Sequence, residues 1–368
     1  MKKYKIAYVV SDLKRVGPSN QTLNIITNSK YKKDSIVITL FNEPSDTMID
    51  EYKKNSINIE SLHLNRITFI FNGKKILAKK LKDLNVELVH SYGVKPDCLC
   101  QKVCNKLKIN HAITLRNYPK EDILTRMNFI KGRIALRSHL KALLDCKNVI
   151  CCSKSICDMM KSDYPNHHFS YVQNGVDINK YQRVNLDAKE VLRKKYQFDN
   201  NKIIYISTGS FIKRKRIDET IEGFIKANVK NSLLLLLGNG ELFDEIKNKY
   251  TDNSNIVFIG KTDKVKEYLQ LSDAFISSSE SEGLPNSVLE AIACGLPVIL
   301  SDIPQHMEII NELPNSGVVY SLGNADELKN AISNNAILKY HADIDKSVFT
   351  MKNMSKKYCD IYDIILKK

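Results

Sequence analysis

Residues 277–302 read SSSESEGLPNSVLEAIACGLPVILSD, and this one stretch decides the fold. The apolar run that leads into it, 273–277, and the one near its end, 297–300, predict buried strands. Between them, Pro285 suits the first turn of a helix. Backbone N–H groups in that turn have no acceptor within the helix, so the N–H that proline lacks is not missed there. Gly295 and Pro297 end that helix. The stretch therefore predicts strand, loop, helix and strand in succession.

Two carboxylates, Glu282 and Glu290, lie eight residues apart around the predicted start of this helix. Eight helical steps span at most ~12 Å at ~1.5 Å per residue. The helix N-terminus between them offers free N–H groups and a positive dipole end to an anion. This layout suits one elongated ligand held at two places, such as a nucleotide sugar with its hexose, diphosphate and ribose. Two surface glutamates on an amphipathic helix are the alternative.

Short apolar or β-branched runs alternate with helical stretches along the rest of the chain. Such alternation predicts α/β architecture, with parallel sheets covered by helices on both faces. The turn-forming pair Asn174-Gly175 predicts a division into two domains. The predicted strands of the first series are 6–10, 35–40, 88–91, 112–115, 149–152 and 171–173, and those of the second are 203–208, 233–238, 256–260, 274–277, 297–301 and 317–320.

Three runs carry a family resemblance: Glu282-Gly-Leu-Pro285, Leu289-Glu-Ala-Ile-Ala-Cys-Gly-Leu-Pro-Val298 and Ser301-Asp-Ile-Pro304. Together they closely resemble the retaining GT-B glycosyltransferases of family 4. The resemblance implies a GT-B fold, in which two Rossmann-like, doubly wound domains face a cleft.

The domain roles follow from the same resemblance. Residues 1–178 are expected to form an acceptor-binding domain, and residues 179–346 a nucleotide-sugar-binding domain. Met351, Tyr358 and other apolar residues recur every three or four positions near the end of the chain, which predicts an amphipathic helix over 347–368. In the resembled family, such a helix crosses back to the first domain.

A loop of four consecutive cations follows the first strand of the second domain. Residues 204–216 read IYISTGSFIKRKR. Clustered like charges repel one another unless an anion is expected, and a diphosphate is such an anion. The family pattern here is Gly-Arg and then a lysine five residues beyond that arginine. Aligned on Gly209, Lys215 falls at the family's lysine, whereas Ser210 occupies the arginine position; an exposed basic loop is the alternative.

The resemblance implies the roles of these residues. Arg214 or Lys213 would replace the missing arginine. Glu282, Lys215 and Arg214 are the predicted catalytic group, in which Glu282 orients hexose hydroxyls and the cations stabilise the leaving diphosphate. Glu290 would bind the ribose. The predicted donor-binding residues are Gly17, Gly209, Ser210, Lys213, Gly238, Asn239, Gly260, Lys261, Gly283, Leu284, Asn286, Ser287 and Glu290.

The acceptor-binding candidates lie in the first domain. Arg116 and Asn117 end a predicted strand at a place where many family members carry a histidine near the sugar. Arg116 is a candidate contact for an acceptor or donor phosphate, with a structural ion pair as the alternative. His90 ends another strand and is the third candidate, with a core histidine as its alternative.

Positive charge is concentrated in the first half of the chain. Residues 1–180 contain 31 Lys and Arg against 16 Asp and Glu, whereas residues 181–368 contain 25 of each. The stretches 74–82 and 127–141 resemble basic amphipathic helices suited to an anionic membrane surface. Ordinary helices packed on a sheet are the alternative. No nucleic-acid-binding motif accompanies the charge, so nucleic acid is not an expected partner.

Composition excludes several other classes. A chain of 368 residues suits two domains, and the absence of an 18-residue apolar stretch and of a signal peptide predicts a cytoplasmic protein, or one peripheral on a membrane. Nine cysteines without paired C-x2-C spacing predict reduced thiols. Asp343-Ile-Asp345 matches the metal-binding signature of another glycosyltransferase class, but no apolar strand leads into it. No metal and no cofactor are therefore predicted.

The implied function is metal-independent, retaining transfer of a hexose-type sugar from a nucleotide-sugar donor, preferably a UDP-sugar. The expected acceptor is a glycan or a polyprenyl-diphosphate-linked sugar, in bacterial O-antigen or capsule synthesis. A catalytically inactive GT-B scaffold subunit and a nucleotide-sugar epimerase are the alternatives. Glu282, Glu290 and Lys215 favour catalysis, whereas Ser210 and Arg116 depart from the family pattern.

Overall fold

The chain forms two compact units in the computed structural model, which describes residues 3–334, 337–338 and 348–367. One unit comprises Met1–Gly175 with Met351–Lys368, and the other comprises Val176–Thr350. Each unit is built on a single parallel sheet with apolar clusters on both faces. The predicted α/β architecture with two doubly wound sheets is confirmed.

Seven parallel strands form the sheet of the first unit. They are β1 (Ile6–Val10), β2 (Ser35–Thr39), β3 (Asn58–Ser61), β4 (Leu88–Ser91), β5 (Asn110–Leu115), β6 (Asn148–Cys151) and β7 (Phe169–Tyr171). Their order across the sheet is β3-β2-β1-β4-β5-β6-β7. β1 is apolar throughout and fully buried, because its alternate side chains enter clusters on opposite faces of the sheet.

The edge strand β3 was not among the predicted strands. Its sequence is Asn-Ile-Glu-Ser, and all four residues are only half-buried. An edge strand pairs on one side only, so it needs no continuous apolar run. The other predicted strands are present, each within two residues of its expected bounds.

Eight helices between residues 17 and 163 cover this first sheet, together with the last helix of the chain. They are α1 (Gly17–Thr27), α2 (Ile49–Lys54), α3 (Arg66–Phe71), α4 (Gly73–Asp83), α5 (Val94–Leu107), α6 (Pro119–Arg126), α7 (Phe129–Asp145) and α8 (Lys154–Asp163). The two predicted basic helices correspond to α4 and α7. Both place part of their apolar surface in the core, through Leu77 and Leu81 of α4 and Leu143 of α7.

The second unit has six parallel strands in the order β10-β9-β8-β11-β12-β13. Its strands are β8 (Ile203–Thr208), β9 (Ser232–Leu237), β10 (Ile256–Gly260), β11 (Ala274–Ser277), β12 (Val298–Ser301) and β13 (Gly317–Tyr320). Its helices are α9 (Leu186–Lys195), α10 (Ile217–Ala227), α11 (Phe243–Lys249), α12 (Val265–Leu271), α13 (Asn286–Ala293), α14 (Pro304–Glu312) and α15 (Ala325–Ser333). The order places β8 beside β11, so the cationic loop and the Glu282 loop start from neighbouring strands.

The last helix, α16 (Met351–Lys367), belongs to the first unit, as predicted. Tyr358 and Tyr362 are fully buried in the cluster around β1. The Tyr362 hydroxyl lies 2.6 Å from His90 Nδ1, and the Ser355 hydroxyl donates to the Ile25 carbonyl at 2.7 Å. The chain end is therefore part of the first unit's core. Residues 347 and 368 of the predicted helix, and Asp343 and Asp345, lie outside the described residues.

All nine cysteines lie in the described part of the chain and are free thiols, eight of them buried. This agrees with the prediction of reduced thiols. Within the described residues, no helix is both long and apolar enough to cross a membrane.

We predict that Tyr362→Ala destabilises the first unit by about 3–5 kcal/mol, the usual cost of deleting a buried aromatic ring. Ile364→Ala, on the exposed side of the same helix, should change stability by less than about 0.5 kcal/mol. Because the chain has no tryptophan, urea unfolding should be followed by far-UV circular dichroism. Equal effects of the two substitutions would contradict this packing.

Candidate functional site

A polar site lies at the carboxyl edge of the second sheet, where ligands bind in open α/β sheets. The loop after β8 and the loop after β11 meet there, and Glu280 N donates to the Arg214 carbonyl at 2.8 Å. The first loop carries Arg214 and Lys215 in a short 3-10 helix, and the second carries Glu282. The fold thus brings together the three residues predicted to be catalytic.

Glu282 is the centre of this site. Lys215 Nζ contacts its Oε1, Arg214 Nη1 lies 3.1 Å from its Oε2, and the Ser279 hydroxyl donates to Oε1 at 2.7 Å. The residue is only 6% exposed. Burial alone would raise the pKa of Glu282, but Lys215 and Arg214 outweigh it and hold that pKa at about 2. The carboxylate is therefore ionised, and each of its oxygens contacts a cation.

Lys215 is the lysine predicted from the alignment on Gly209, and it packs directly against that glycine. Burial lowers the pKa of Lys215, while the Glu282 carboxylate opposes this shift. Its side chain is largely withdrawn from solvent. A partly desolvated ammonium group attracts an entering anion more strongly than an exposed lysine does.

Arg214, and not Lys213, joins the site. Arg214 Nη1 donates to the Ser281 carbonyl at 2.6 Å as well as to Glu282, whereas Lys213 is exposed. The Arg214 Nε is buried and has no hydrogen-bond partner among the described residues. Of the two candidate replacements for the family's arginine, Arg214 is therefore the one that contacts Glu282. Ser210, at the family's arginine position, is also exposed.

A chain of buried hydrogen bonds holds Glu282 in place through Ser279, Ser301 and His306. Ser279, which donates to Glu282, accepts at its carbonyl from the Ser301 hydroxyl at 2.6 Å. The Nδ1 of His306 lies 3.0 Å from the Ser301 carbonyl. Burial lowers the pKa of His306 to about 4, so its imidazole is neutral near pH 7. Sequence reasoning missed Ser279, Ser301 and His306, since nothing in their spacing sets them apart.

Three predicted glycines form the floor of the site. Gly209, Gly238 and Gly260 end the neighbouring strands β8, β9 and β10, and Gly238 N donates to the Gly260 carbonyl at 2.8 Å. Gly238 has φ +130°, and a Cβ there would lie 1.7 Å from the Gly209 carbonyl oxygen. Only glycine fits this position. The adjoining Asn239 and Lys261 are exposed beside this floor.

The second glutamate of the motif, Glu290, lies on α13 in a different environment. Burial raises the pKa of Glu290 to about 7, against the opposing effects of Lys180 and of a hydrogen bond from Tyr181. Pro285 is the N-cap of α13, which has no side-chain cap hydrogen bond. Around this helix start, Gly283 and Leu284 are buried, and Asn286 and Ser287 are half-buried.

In the first unit, Arg116 forms the centre of a second polar cluster just beyond β5. Arg116 Nη1 lies 3.3 Å from Asn174 Oδ1, Nη2 lies 3.5 Å from Thr22 Oγ1, and the guanidinium stacks over Tyr92 at 5.4 Å from the ring centroid. Arg116 Nε is buried without a hydrogen-bond partner, and Arg116 forms no ion pair with any described residue. The structural ion pair held as its alternative is therefore not found in the described part.

The other first-unit candidates have different surroundings. Gly17 begins α1, whose N-cap Val16 gives no side-chain cap. Asn117 donates to Asp122 at 3.0 Å near the start of α6. His90 is buried in the core, with Nδ1 2.6 Å from the Tyr362 hydroxyl and Nε2 2.7 Å from the Thr114 hydroxyl. Both ring nitrogens of His90 are thus engaged within the protein, which favours a core histidine.

Within the described residues, no group of three His, Cys, Asp or Glu side chains is placed to hold a metal ion. The positively charged groups in contact with Glu282 are Lys215 and Arg214.

The sequence matches known proteins along its whole length. Residues 188–338 match the family model of the glycosyl transferases group 1. The O-antigen biosynthesis glycosyltransferase WclY of Escherichia coli is 27% identical over 99% of this chain and 99% of its own length. A UDP-Gal:alpha-D-GlcNAc-diphosphoundecaprenol alpha-1,3-galactosyltransferase of Escherichia coli is 27% identical over 50% of this chain and 47% of its own length.

The fold is similar to that of a solved structure, Anabaena Alr3699/HepE in complex with UDP and glucose. The TM-score is 0.83 over 98% of this chain and 99% of that one, at 14% sequence identity. The predicted two-domain, Rossmann-like GT-B fold is therefore confirmed.

We predict that Gly238→Ala destabilises the second unit by at least about 3 kcal/mol, because the methyl group would overlap the Gly209 carbonyl in a backbone conformation that alanine avoids. Gly209→Ala is the matched control. Its Cβ would meet only the Lys215 side chain, 3.6 Å away, so it should cost less than about 1 kcal/mol. Urea unfolding measures both, and a tolerated Gly238→Ala would disprove the close approach.

The raised pKa of Glu290 predicts a pH-dependent stability. The folded chain retains a proton on Glu290 that the unfolded chain loses between about pH 4.5 and pH 7, so the stability of wild type relative to Glu290→Gln should fall as pH rises through that range. This difference in stability should change by at most about 1.4 kcal/mol per pH unit. The buried His90, His111 and His306, whose lowered pKa values make stability rise with pH, are common to both proteins and cancel in the difference. The same substitution at the exposed Glu241 should leave the pH profile of wild type unchanged. Identical pH profiles for wild type and Glu290→Gln would contradict the assignment.

Proposed function

We propose that the chain is a glycosyltransferase of the group 1 type, whose family model matches residues 188–338, and that it moves a hexose-type sugar from a UDP-sugar donor to a lipid-linked glycan acceptor, with retention and without a metal ion. The observation that carries the proposal is the buried pairing of Glu282 with Lys215 and Arg214. The two cations would provide positive charge next to the leaving diphosphate. The carboxylate of Glu282 would accept hydrogen bonds from the hydroxyls of the sugar.

The two cations would bind the donor diphosphate. Lys215 has further N–H donors besides the one directed at Glu282, and the Arg214 Nε is buried without a partner. Phosphate oxygens entering this site would therefore find donors already in place and partly desolvated. Such preorganised donors stabilise charge that develops in the transition state, here on the leaving diphosphate.

Glu282 is suited to binding the sugar rather than to attacking it. A carboxylate whose pKa is held at about 2 by two cations is a weak base and a weak nucleophile. It accepts hydrogen bonds well, so it would orient hexose hydroxyls. Among the described residues, this site offers no other carboxylate in hydrogen-bond contact with the cations.

The reaction is therefore proposed to proceed on one face of the sugar. The bond from the anomeric carbon to the diphosphate oxygen breaks, and its electron pair leaves with the diphosphate. The acceptor hydroxyl oxygen forms its bond to the anomeric carbon on the same face, and its proton passes to a donor phosphate oxygen. Atoms and charges balance without a covalent enzyme intermediate.

The remaining donor contacts follow from the surroundings of the site. Glu290 would bind the ribose hydroxyls, and its raised pKa leaves it partly protonated near pH 7, so it can both donate and accept. The glycine floor of Gly209, Gly238 and Gly260 would allow the nucleotide to approach the backbone closely.

The acceptor is proposed to bind the first unit. Arg116 has a buried, unpartnered Nε and no carboxylate partner in the described part, so it suits an acceptor phosphate. A polyprenyl-diphosphate carrier provides one, and one relative of this chain acts on such a substrate by its name. The setting proposed is surface polysaccharide synthesis, of O-antigen or capsule, by a cytoplasmic chain whose basic first unit lies on the membrane.

We predict slow nucleotide release when the protein is incubated with one of a panel of UDP-, GDP- and ADP-sugars in the presence of chelator. Lys215→Ala should slow release about 10²–10³-fold, the usual cost of losing one preorganised donor. Glu282→Gln should slow it as well, because the sugar loses its anchor. Lys226→Ala, which removes an exposed lysine of α10, is the matched control and should have no effect.

Two results would contradict the proposal. A requirement for divalent metal would mean that Lys215 and Arg214 do not supply the neutralising charge. Absence of both release and binding with every donor would favour an inactive scaffold subunit.

A further inference from the structure

The first unit exposes an unusual amount of apolar surface at two places. Among the described residues, nine large apolar side chains are more than half exposed, and six of them lie on α3 and the first half of α7. Soluble proteins rarely leave such clusters open unless they contact something. The six side chains are 61–78% exposed: Ile67, Ile70, Phe71, Phe129, Ile130 and Ile134.

The first cluster is fixed in place by a capped helix. Ile67, Ile70 and Phe71 stand three and four positions apart on α3, so they share one face. Asn65 caps the helix by accepting from Thr68 N at 2.8 Å, while the Thr68 hydroxyl accepts from Asn65 N at 2.8 Å. A capping box on so short a helix shows that the exposed face is a folded feature.

The second cluster lies at the tip of a helical hairpin. α6 ends at Arg126 and α7 begins at Phe129, and Met127 in the connection is also exposed. The Arg133 guanidinium lies 4.2 Å from the centre of the Phe129 ring. An apolar tip with a cation stacked on its aromatic ring is typical of a surface that meets both lipid tails and headgroups.

Unpaired cations accompany both clusters. They are exposed and form no ion pair with any described residue, in contrast to cations such as Lys195 and Lys249 of the second unit, which contact carboxylates. They line α4, directly after the first cluster, and α7 itself. The cations are Lys74, Lys75, Lys79 and Lys82 on α4, and Lys131, Arg133, Arg137 and Lys141 on α7.

The two clusters lie on the same side of the first unit. α3 directly follows β3, which ends at the carboxyl edge of the sheet. α7 runs back to the amino end of β6, so its first residues, at the α6–α7 tip, lie toward the carboxyl edge as well. α3 packs on α4, α4 on α5, and α5 on α7, so the helices form one continuous layer. Arg116 leaves the same edge at the end of β5.

We propose that α3 and the α6–α7 tip are two membrane anchors, whose apolar side chains enter an anionic bilayer while the cations of α4 and α7 bind lipid phosphates. This proposal rests on the proposed function in one respect: membrane binding would bring the protein to a lipid-linked acceptor. Anchoring would hold the edge that carries Arg116 at the headgroup level. Two copies of this chain meeting through the same surface would bring their unpaired cations together, so charge disfavours self-association.

The test is sedimentation of the full-length chain with vesicles. Wild type should bind vesicles of phosphatidylcholine mixed with phosphatidylglycerol far better than vesicles of phosphatidylcholine alone, and added salt should weaken that binding. The triple variants Ile67→Ser, Ile70→Ser, Phe71→Ser and Phe129→Ser, Ile130→Ser, Ile134→Ser should each lose more than about tenfold in affinity. Leu186→Ser with Val191→Ser, equally exposed on α9 of the second unit, is the matched control and should bind like wild type.

A third variant tests the contribution of the cations and combines Lys131→Glu, Arg133→Glu and Arg137→Glu. Each cation near an anionic surface contributes about fivefold, so the triple variant should lose at least about 100-fold. The matched control reverses three exposed lysines of the second unit, Lys194, Lys226 and Lys230, and should retain binding.

The readouts separate this proposal from the proposed function. Circular dichroism and nucleotide release from the soluble donor should be unchanged in the anchor variants, so a loss of vesicle binding alone identifies the surface. Equal binding to both kinds of vesicle, or binding that survives both apolar variants, would overturn the proposal. A wild-type dimer that the apolar variants convert to monomer would also overturn it and assign the surface to self-association.

Discussion

The pairing of one buried carboxylate with two cations is the interaction on which the second unit's site depends. Burying Glu282 alone would cost several kcal/mol, and removing either cation would leave charge uncompensated. The sheet order brings the cations to the carboxylate, because β8 and β11 are neighbours and the loops that follow them meet. In the proposed reaction, the same electrostatics that make Glu282 tolerable in the fold preorganise Lys215 and Arg214 for the donor diphosphate.

The two glutamates of one motif have opposite properties because their surroundings differ. Glu282 is held ionised by Lys215 and Arg214, whereas burial near Tyr181 leaves Glu290 close to half-protonated at neutral pH. A strong acceptor in the loop before α13 and a group on α13 that can also donate suit two chemically different parts of one ligand.

Most of the fold and much of this site could be predicted from the sequence. Buried parallel strands are apolar on both faces, so β1, β8 and β11 are evident as short runs, whereas the half-buried edge strand β3 is not. Glu282 was predicted from its spacing to Glu290, whereas Lys215 was predicted from the resemblance to the family pattern that follows Gly209. The choice of Arg214 over Lys213 depends on which way adjacent side chains point in a turn, and no sequence pattern records this.

The exposed face of α3 illustrates the same limit. Arg-Ile-Thr-Phe-Ile-Phe has the composition of a core segment, and only the packed unit shows that Ile67, Ile70 and Phe71 face outward. His90 shows the converse, since a strand-end histidine that could bind a ligand has both nitrogens engaged by Tyr362 and Thr114. Long-range contacts decide such cases.

The most direct test of the central claim is a crystal structure of the chain with a non-hydrolysable UDP-sugar. The account predicts diphosphate oxygens within hydrogen-bond distance of Lys215 Nζ and of the Arg214 guanidinium, with a sugar hydroxyl on Glu282. A nucleotide bound elsewhere, with Glu282 still contacting only Lys215, Arg214 and Ser279, would contradict it.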